Sequence, residues 1–280
     1  MRKHFLAYLV VICCCPAVSG SFDLITSRGL GLGHSVVLSG SSASVLVNVP
    51  TGGLASGAWH FECGYDRRFG LSDLDNVFVS GAKRWRWLTV GVGASQFGKT
   101  DLYAEQLLKG SLAFHLDSLT FGGTLSAMQV QIGNGYGTLR AATVGAGASW
   151  RSRRFFAAAT FDNLTSPSLA EYSPTVKPIY SAYAELIGLG SYSITSRATF
   201  EDLQKPSFAG GLIVQVSNRA SIFGGVSTEP MEYGGGVEMY IRSGVITYAT
   251  SVHPVLGLSH TVSFGLGSVS RGRTQKGAFD

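Results

Sequence analysis

Residues 258–268 read Leu258-Ser259-His260-Thr261-Val262-Ser263-Phe264-Gly265-Leu266-Gly267-Ser268, and this stretch decides the fold. His260, Val262, Phe264 and Leu266 alternate with Ser259, Thr261, Ser263, Gly265 and Gly267. Successive strand residues point to opposite faces, so one face here is apolar and the other small or hydroxylated. Working back along the chain, Met231, Tyr233, Val237, Met239 and Ile241 oppose Glu232, Gly234, Gly236, Glu238 and Arg242. Tyr192, Ile194, Ala198 and Phe200 oppose Ser191, Ser193, Thr195, Arg197 and Thr199. Phe208, Leu212, Val214 and Val216 oppose Ala209, Gly211, Gln215 and Ser217.

The alternation defines fourteen segments: 57–66, 76–83, 86–95, 103–116, 119–132, 138–150, 153–163, 178–187, 190–200, 207–217, 220–227, 231–241, 245–252 and 258–268. Short turns fall at Arg84-Trp85, Asp117-Ser118, Arg151-Ser152, Gly188-Leu189, Asn218-Arg219 and Arg242–Gly244. Longer connections fall at 67–75, 96–102, 133–137, 164–177, 201–206, 228–230 and 253–257, so short and long alternate. Outer-membrane barrels have this rhythm, with short turns at one end and longer loops at the other. An even strand number brings both chain ends to the short-turn side. The segment 119–132 changes phase: Leu119, Phe121 and Leu125 share one parity, Met128, Val130 and Ile132 the other. A bulge near Ala127 or a misplaced boundary accounts for that.

A soluble sandwich would also alternate, because one face packs a core. Three features favour a membrane. Several segments exceed the common five or six residues of a strand. Pro50, Pro167, Pro174, Pro178, Pro206, Pro230 and Pro254 avoid segment interiors. Trp85, Trp87, Trp150, Phe155, Tyr180, Phe200, Phe208 and Tyr233 sit near segment ends, as in an interfacial aromatic girdle. The longest unbroken apolar run, Phe5–Cys15, falls short of the roughly 20 residues of a spanning helix. Charged residues are only 14% of the chain and mean hydropathy is +0.21. A closed barrel is then the way to cross a bilayer. The expected class is an all-β, antiparallel transmembrane barrel of about 14 strands.

Residues 1–20 read as a secretory signal: Arg2 and Lys3, the apolar Phe5–Cys15, then the small residues Ala17, Ser19 and Gly20. Cys13, Cys14 and Cys15 fall within it, leaving Cys63 alone, so no disulfide framework is built. Residues 21–56, rich in Gly, Ser, Leu and Val, are expected to plug the barrel. Residues 57–268 form the barrel and 269–280 a polar, basic tail.

Two of the 22 basic residues lie in the signal, so the 17 acidic residues nearly balance the remainder and a nucleic-acid partner is not indicated. No cofactor or metal is indicated: His34, His60 and His115 lack ligand spacing. Gly29-x-Gly31-x-Gly33 lacks the strand and helix of a dinucleotide site. Ser259 and His260, the pair a lipid-modifying enzyme would need, are neighbours and point to opposite faces. No catalytic residue is assigned, and the chain is read as a non-enzyme. Arg197, Glu232, Glu238 and Arg242 share the parity of the small, polar face, so they are expected to face the lumen, where charge is tolerated. They would form either an internal salt-bridge network or a pore lining.

Several stretches resemble the FadL-like outer-membrane barrels, particularly their PorV/PorQ-type branch. Gly40–Ser44 and Asn48-Val49-Pro50-Thr51-Gly52-Gly53-Leu54 are similar to the family's N-terminal Gly/Ala-rich segment leading into Asn-Pro-Ala-Gly-Leu. Phe161-Asp162-Asn163-Leu164 followed by Pro167 resembles its mid-barrel strand end. Tyr248-Ala249, then His253-Pro254-Val255-Leu256-Gly257-Leu258-Ser259-His260, resembles its penultimate hairpin. On this resemblance Asn163, Leu164, His253, Pro254, Leu256, Gly257 and His260 are structural motif positions. It implies placement in the outer membrane of a diderm bacterium, in contact with its lipid. It also implies passage of hydrophobic small molecules or service to a secretion-system protein. A sealed barrel that docks a partner through its external loops is the alternative.

Overall fold

The computed structural model describes residue 24 and residues 26–40, 42–133, 137–168, 175–202 and 204–268. The expected signal 1–20, the tail 269–280 and part of the 164–177 connection lie outside the described residues.

Each alternating segment is a strand: β1 Trp59–Arg67, β2 Asp75–Arg84, β3 Leu88–Lys99, β4 Tyr103–Leu116, β5 Leu119–Ile132, β6 Gly137–Arg151 and β7 Phe155–Asp162. The second half runs β8 Ile179–Leu189, β9 Tyr192–Glu201, β10 Ser207–Ser217, β11 Ala220–Thr228, β12 Met231–Ile241, β13 Gly244–His253 and β14 Gly257–Gly267. Each pairs antiparallel with its chain neighbours, and β1 pairs with β14 from His60↔Gly267 to Arg67↔His260, closing the barrel. The loop between β11 and β12 is only Glu229-Pro230, as short as the turns at the other end.

Burial shows which solvent this wall is built for. On β14, Ser259, Thr261 and Ser263 are 2–4% exposed, while Val262 and Phe264 are 44% and 41% exposed. The apolar face is outside and the polar face inside, the inverse of a water-soluble sheet. Aromatic pairs mark both rims: Trp87–Phe114 and Trp150–Phe155 at the short-turn end, Phe161–Tyr180 and Phe200–Phe208 at the loop end.

The strands are staggered. The row of outward cross-strand partners starting at Tyr192, beside the short turn after β8, runs through Val214, Ile222, Val237, Tyr248, Val262 and Tyr65 to Val77. Strands lie about 4.8 Å apart and tilt about 40°, so such a row climbs about 3 Å per strand. It stays apolar or aromatic for its whole passage from β9 to β2.

β5 corrects one expectation. It pairs without interruption with β4 from Leu116↔Leu119 to Tyr103↔Ile132, and with β6 from Leu119↔Trp150 to Ile132↔Gly137. There is no bulge at Ala127. The change of parity is a change of chemistry: toward the loop end the inward residues Met128 and Val130 are apolar and buried, while Gln129 and Gln131 point outward. The register shifts instead lie between Leu186 and Leu189 and between Gln215 and Ser217.

Two short helices precede the barrel, α1 (Ser27–Gly31) and α2 (Ala43–Asn48). Thr26 caps the first by accepting from Gly29 N at 2.7 Å, and Ser42 caps the second by accepting from Val45 N. Helices of five and six residues do not persist on propensity, so tertiary contacts hold them. Those contacts are with the inner wall. Leu32, Leu38 and Leu46 are fully buried. A Cβ at Gly225 of β11 would lie 2.2 Å from the Leu32 carbonyl, so this wall position must be glycine for the segment to approach.

The outward face is tested by Val237→Arg, placed between Ile222 and Tyr248. In lipid vesicles this change lowers the unfolding free energy by about 2–4 kcal/mol, read from denaturant titration. An inverted barrel would leave the midpoint unchanged.

Candidate functional site

The chemistry concentrates where residues 24–58 meet the inner wall. Glu238 of β12 is 2% exposed. Its carboxylate accepts from Arg28 Nε and Nη2, both at 2.6 Å, from the Tyr240 hydroxyl at 2.9 Å and from Thr247 Oγ1 at 3.2 Å. The strand places Glu238 and Tyr240 on one face two residues apart, and α1 carries Arg28 across to them. A carboxylate this buried is sustained because both oxygens are saturated, each taking one prong of the Arg28 guanidinium.

Glu185 of β8 does the same for the backbone. It accepts from Leu38 N and Ser39 N, both at 2.7 Å, from Ser39 Oγ at 2.5 Å and from Ser193 Oγ at 3.0 Å. Glu232 pairs with His34 Nε2 at 3.0 Å. Further ties run from Ser27 to Thr261 (2.8 Å), from Ser35 to Thr195, from Ala43 N to His60 Nδ1 (3.0 Å) and from Ser44 to Glu62. The segment also accepts, at the Thr51 carbonyl from Ser149 Oγ and at the Leu54 carbonyl from Arg84.

The four charged positions picked out by parity have separate fates. Glu238 and Glu232 face inward and meet Arg28 and His34. Arg197 faces inward, donates to the His34 carbonyl at 3.4 Å and lies 5.6 Å from the centre of the Tyr183 ring. Arg242 does not line the lumen. β12 ends at Ile241, and Arg242 occupies the following turn, exposed and with φ 51°. Parity assigns a face only while the strand continues. Glu62, Glu185, Arg28 and His34 were missed. Glu62 and Glu185 show the inward parity of their strands, but nothing in a sequence pairs Arg28 with a residue 210 positions away.

The motif positions serve loop geometry. His253 Nδ1 accepts from Val255 N at 3.2 Å and Leu256 N at 3.1 Å, holding the turn that contains Pro254; Gly257 follows with φ 100°. Asn163, with φ 58°, donates from Nδ2 to the Lys177 carbonyl, and Leu164 N donates to the Val144 carbonyl at 3.0 Å. His260 points outward and takes a 2.8 Å hydrogen bond with the Tyr248 hydroxyl, while Ser259 points inward and accepts from Phe69 N.

A second feature lies inside, in the loop-end half of β2 and β4–β6. Phe78, Leu107, Met128 and Val130 form an apolar cluster on an inner face that is otherwise largely polar. Leu24 and Val47 of the N-terminal segment and Val176 of the β7–β8 connection complete it, with Leu139 and Ala141 half-buried at its side. Glu105 stands two positions from Leu107 on the same face. Its Oε1 accepts from the Tyr103 hydroxyl at 2.5 Å, and its buried Oε2 has no hydrogen-bond partner among the described residues.

This geometry defines a class: a closed 14-strand barrel, apolar outside, with a polar and partly apolar interior reached by its N-terminal segment. No protein-family model and no curated protein matches the sequence. Solved structures share the fold. The toluene transporter TodX of P. putida aligns with TM-score 0.59 at 8% identity, over 88% of this chain and 97% of that one. A Pseudomonas aeruginosa FadL homologue gives 0.58 at 11% identity, over 88% and 99%. Acinetobacter baumannii Omp33 gives 0.50 at 8% identity, over 74% and 96%. The fold is thus FadL-like.

Arg28→Met leaves Glu238 buried without its charge partner. The expected cost is about 3–5 kcal/mol. Limited proteolysis in residues 26–58 is expected to rise while the barrel keeps its circular dichroism. Adding Glu238→Gln to Arg28→Met restores part of that loss; additivity of the two would show that they do not interact.

Proposed function

We propose that this chain is an outer-membrane barrel that passes hydrophobic small molecules, with residues 21–56 acting as a plug in its lumen. The observation that carries the reading is the inward apolar cluster of Phe78, Leu107, Met128 and Val130. Leu24, Val47 and Val176 cover that surface, so apolar groups are held there inside the barrel. An apolar solute gains from it, since burial is favourable by about 25 cal/mol per Å². Glu105 Oε2 is in position to accept a hydrogen bond from the polar end of a molecule bound there. The fold shared with a protein described as a toluene transporter supports the same class of cargo. The signal-like sequence of residues 1–20 and the outward apolar band support residence in the outer membrane of a diderm bacterium.

The test is uptake of the fluorescent apolar probe N-phenyl-1-naphthylamine by cells that carry the barrel or lack it. The barrel is expected to raise the uptake rate, and Leu107→Asp to reduce it several-fold without loss of the boiling-dependent gel shift of a folded barrel. Equal rates with and without the barrel would overturn the transport reading. They would favour the sealed barrel that docks a partner, for which the full burial of Leu32, Leu38 and Leu46 speaks.

A further inference from the structure

The outward row that climbs from Tyr192 to Val77 continues through β3–β6, and there its chemistry changes. The next four partners are Gln96, Gln106, Gln129 and Arg140. They form one hydrogen-bonded chain across the outer surface. Arg140 Nε donates to Gln129 Oε1 at 2.8 Å, Gln129 Nε2 to Gln106 Oε1 at 3.1 Å and Gln106 Nε2 to Gln96 Oε1 at 3.4 Å. Every amide points the same way, so the bonds polarise one another.

Depth explains the switch. Gln96 is the eighth step from Tyr192 along the paired row, which at about 3 Å per step is about 25 Å above the short-turn rim. That is the height of the apolar band of such barrels. At the same rise Arg140, three steps on, stands about 9 Å higher, so the polar row runs from the hydrocarbon edge at Gln96 up through the headgroup level to Arg140. The row immediately below them is Ala94, Leu108, Ala127 and Ala142. Its three alanines leave a recess of about 840 Å³ in the outer surface, reaching up to the polar row. Leu24 and Val47, which pack on the inner side of the same strands, do not border it. Among the described residues Arg140 is the only charged one that lines it.

We propose that this recess seats one lipid of the loop-side leaflet, its acyl chain against Ala94, Ala127 and Ala142 and its phosphate on Arg140. The inference rests on the membrane-barrel reading given above. A guanidinium with the Gln129 amide holding its Nε keeps its remaining donors for a phosphate oxygen, and it is planar and permanently charged. A partner without an acidic group would leave that guanidinium, which has no acidic neighbour among the described lining residues, without a counter-charge.

The experiment uses the full barrel, extracted in mild detergent and first checked for its boiling-dependent gel shift. Native mass spectrometry then compares retention of added dioleoylphosphatidylglycerol and dioleoylphosphatidylcholine. The anionic lipid is expected to be held about tenfold better, and Arg140→Gln to remove that preference. Lys205→Gln, a loop-end cation outside the recess, is expected to leave it intact. Equal retention of the two lipids, or a preference that survives Arg140→Gln, would overturn the site. So would loss of the preference in Lys205→Gln, which would reduce it to diffuse charge. A dimer that vanishes with Arg140→Gln would also overturn it, assigning the recess to a second copy of the chain. Absence of the gel shift would refute the membrane barrel itself, which separates that failure from a failure of the lipid site.

Discussion

Inside hydrocarbon no water is available to a peptide group, and every unpaired N–H or C=O costs several kcal/mol. The pairing of β1 with β14 answers that constraint, and the rest of the structure follows from it. Closing the sheet removes both edges. It also divides the side chains of every strand between lipid and lumen, so Val262 must be apolar where Thr261 need not be. The lumen then has to be filled or wetted. The described residues of the N-terminal segment, 26–40 and 42–58, pack against its inner wall, and the inward glycines of β10–β12 let their backbone come close. At Gly33, with φ 63°, a Cβ would sit 2.5 Å from the Val226 backbone, so the close approach is built from both sides.

The period of two makes the barrel legible in the sequence. It fixes which face each strand residue takes, and β5 and β12 begin and end where the alternation does. The failures share a cause. Periodicity gives a face but neither a depth nor a partner. Met128 and Val130 break the parity of an apolar face turned to lipid because at the loop end of β5 the apolar side turns inward. The outward Gln129 and Gln131 on the same strand held that information. Arg242 carried the parity of the lumen but lies one residue beyond the strand. The Arg28–Glu238 and Glu185–Ser39 contacts join distant parts of the chain. Only the curvature of the closed sheet brings them together.

The attachment of residues 24–58 is uneven around the barrel. On the far wall apolar packing on Phe156, Tyr183 and Phe223 is joined by charge and hydrogen bonds: Glu62, Glu185, Thr195, Glu238 and Thr261 each hold a group of the segment. Toward β2, β4 and β5 it presents Leu24 and Val47. The two kinds of contact respond differently to an intruding apolar molecule. Drawing Arg28 from Glu238 leaves a buried charge without compensation, and no apolar solute can supply what is lost. Parting Leu24 and Val47 from Phe78, Leu107 and Met128 exposes surface that an apolar solute covers again at once. Under the transport reading, a hydrophobic molecule therefore passes along the β2–β5 side while the clamps on the far wall stay closed. On that reading the segment yields where its grip is hydrophobic and remains anchored where its grip is ionic. On that account a barrel can stay closed to water and ions and still be permeable to the one class of solute that replaces the contacts it breaks.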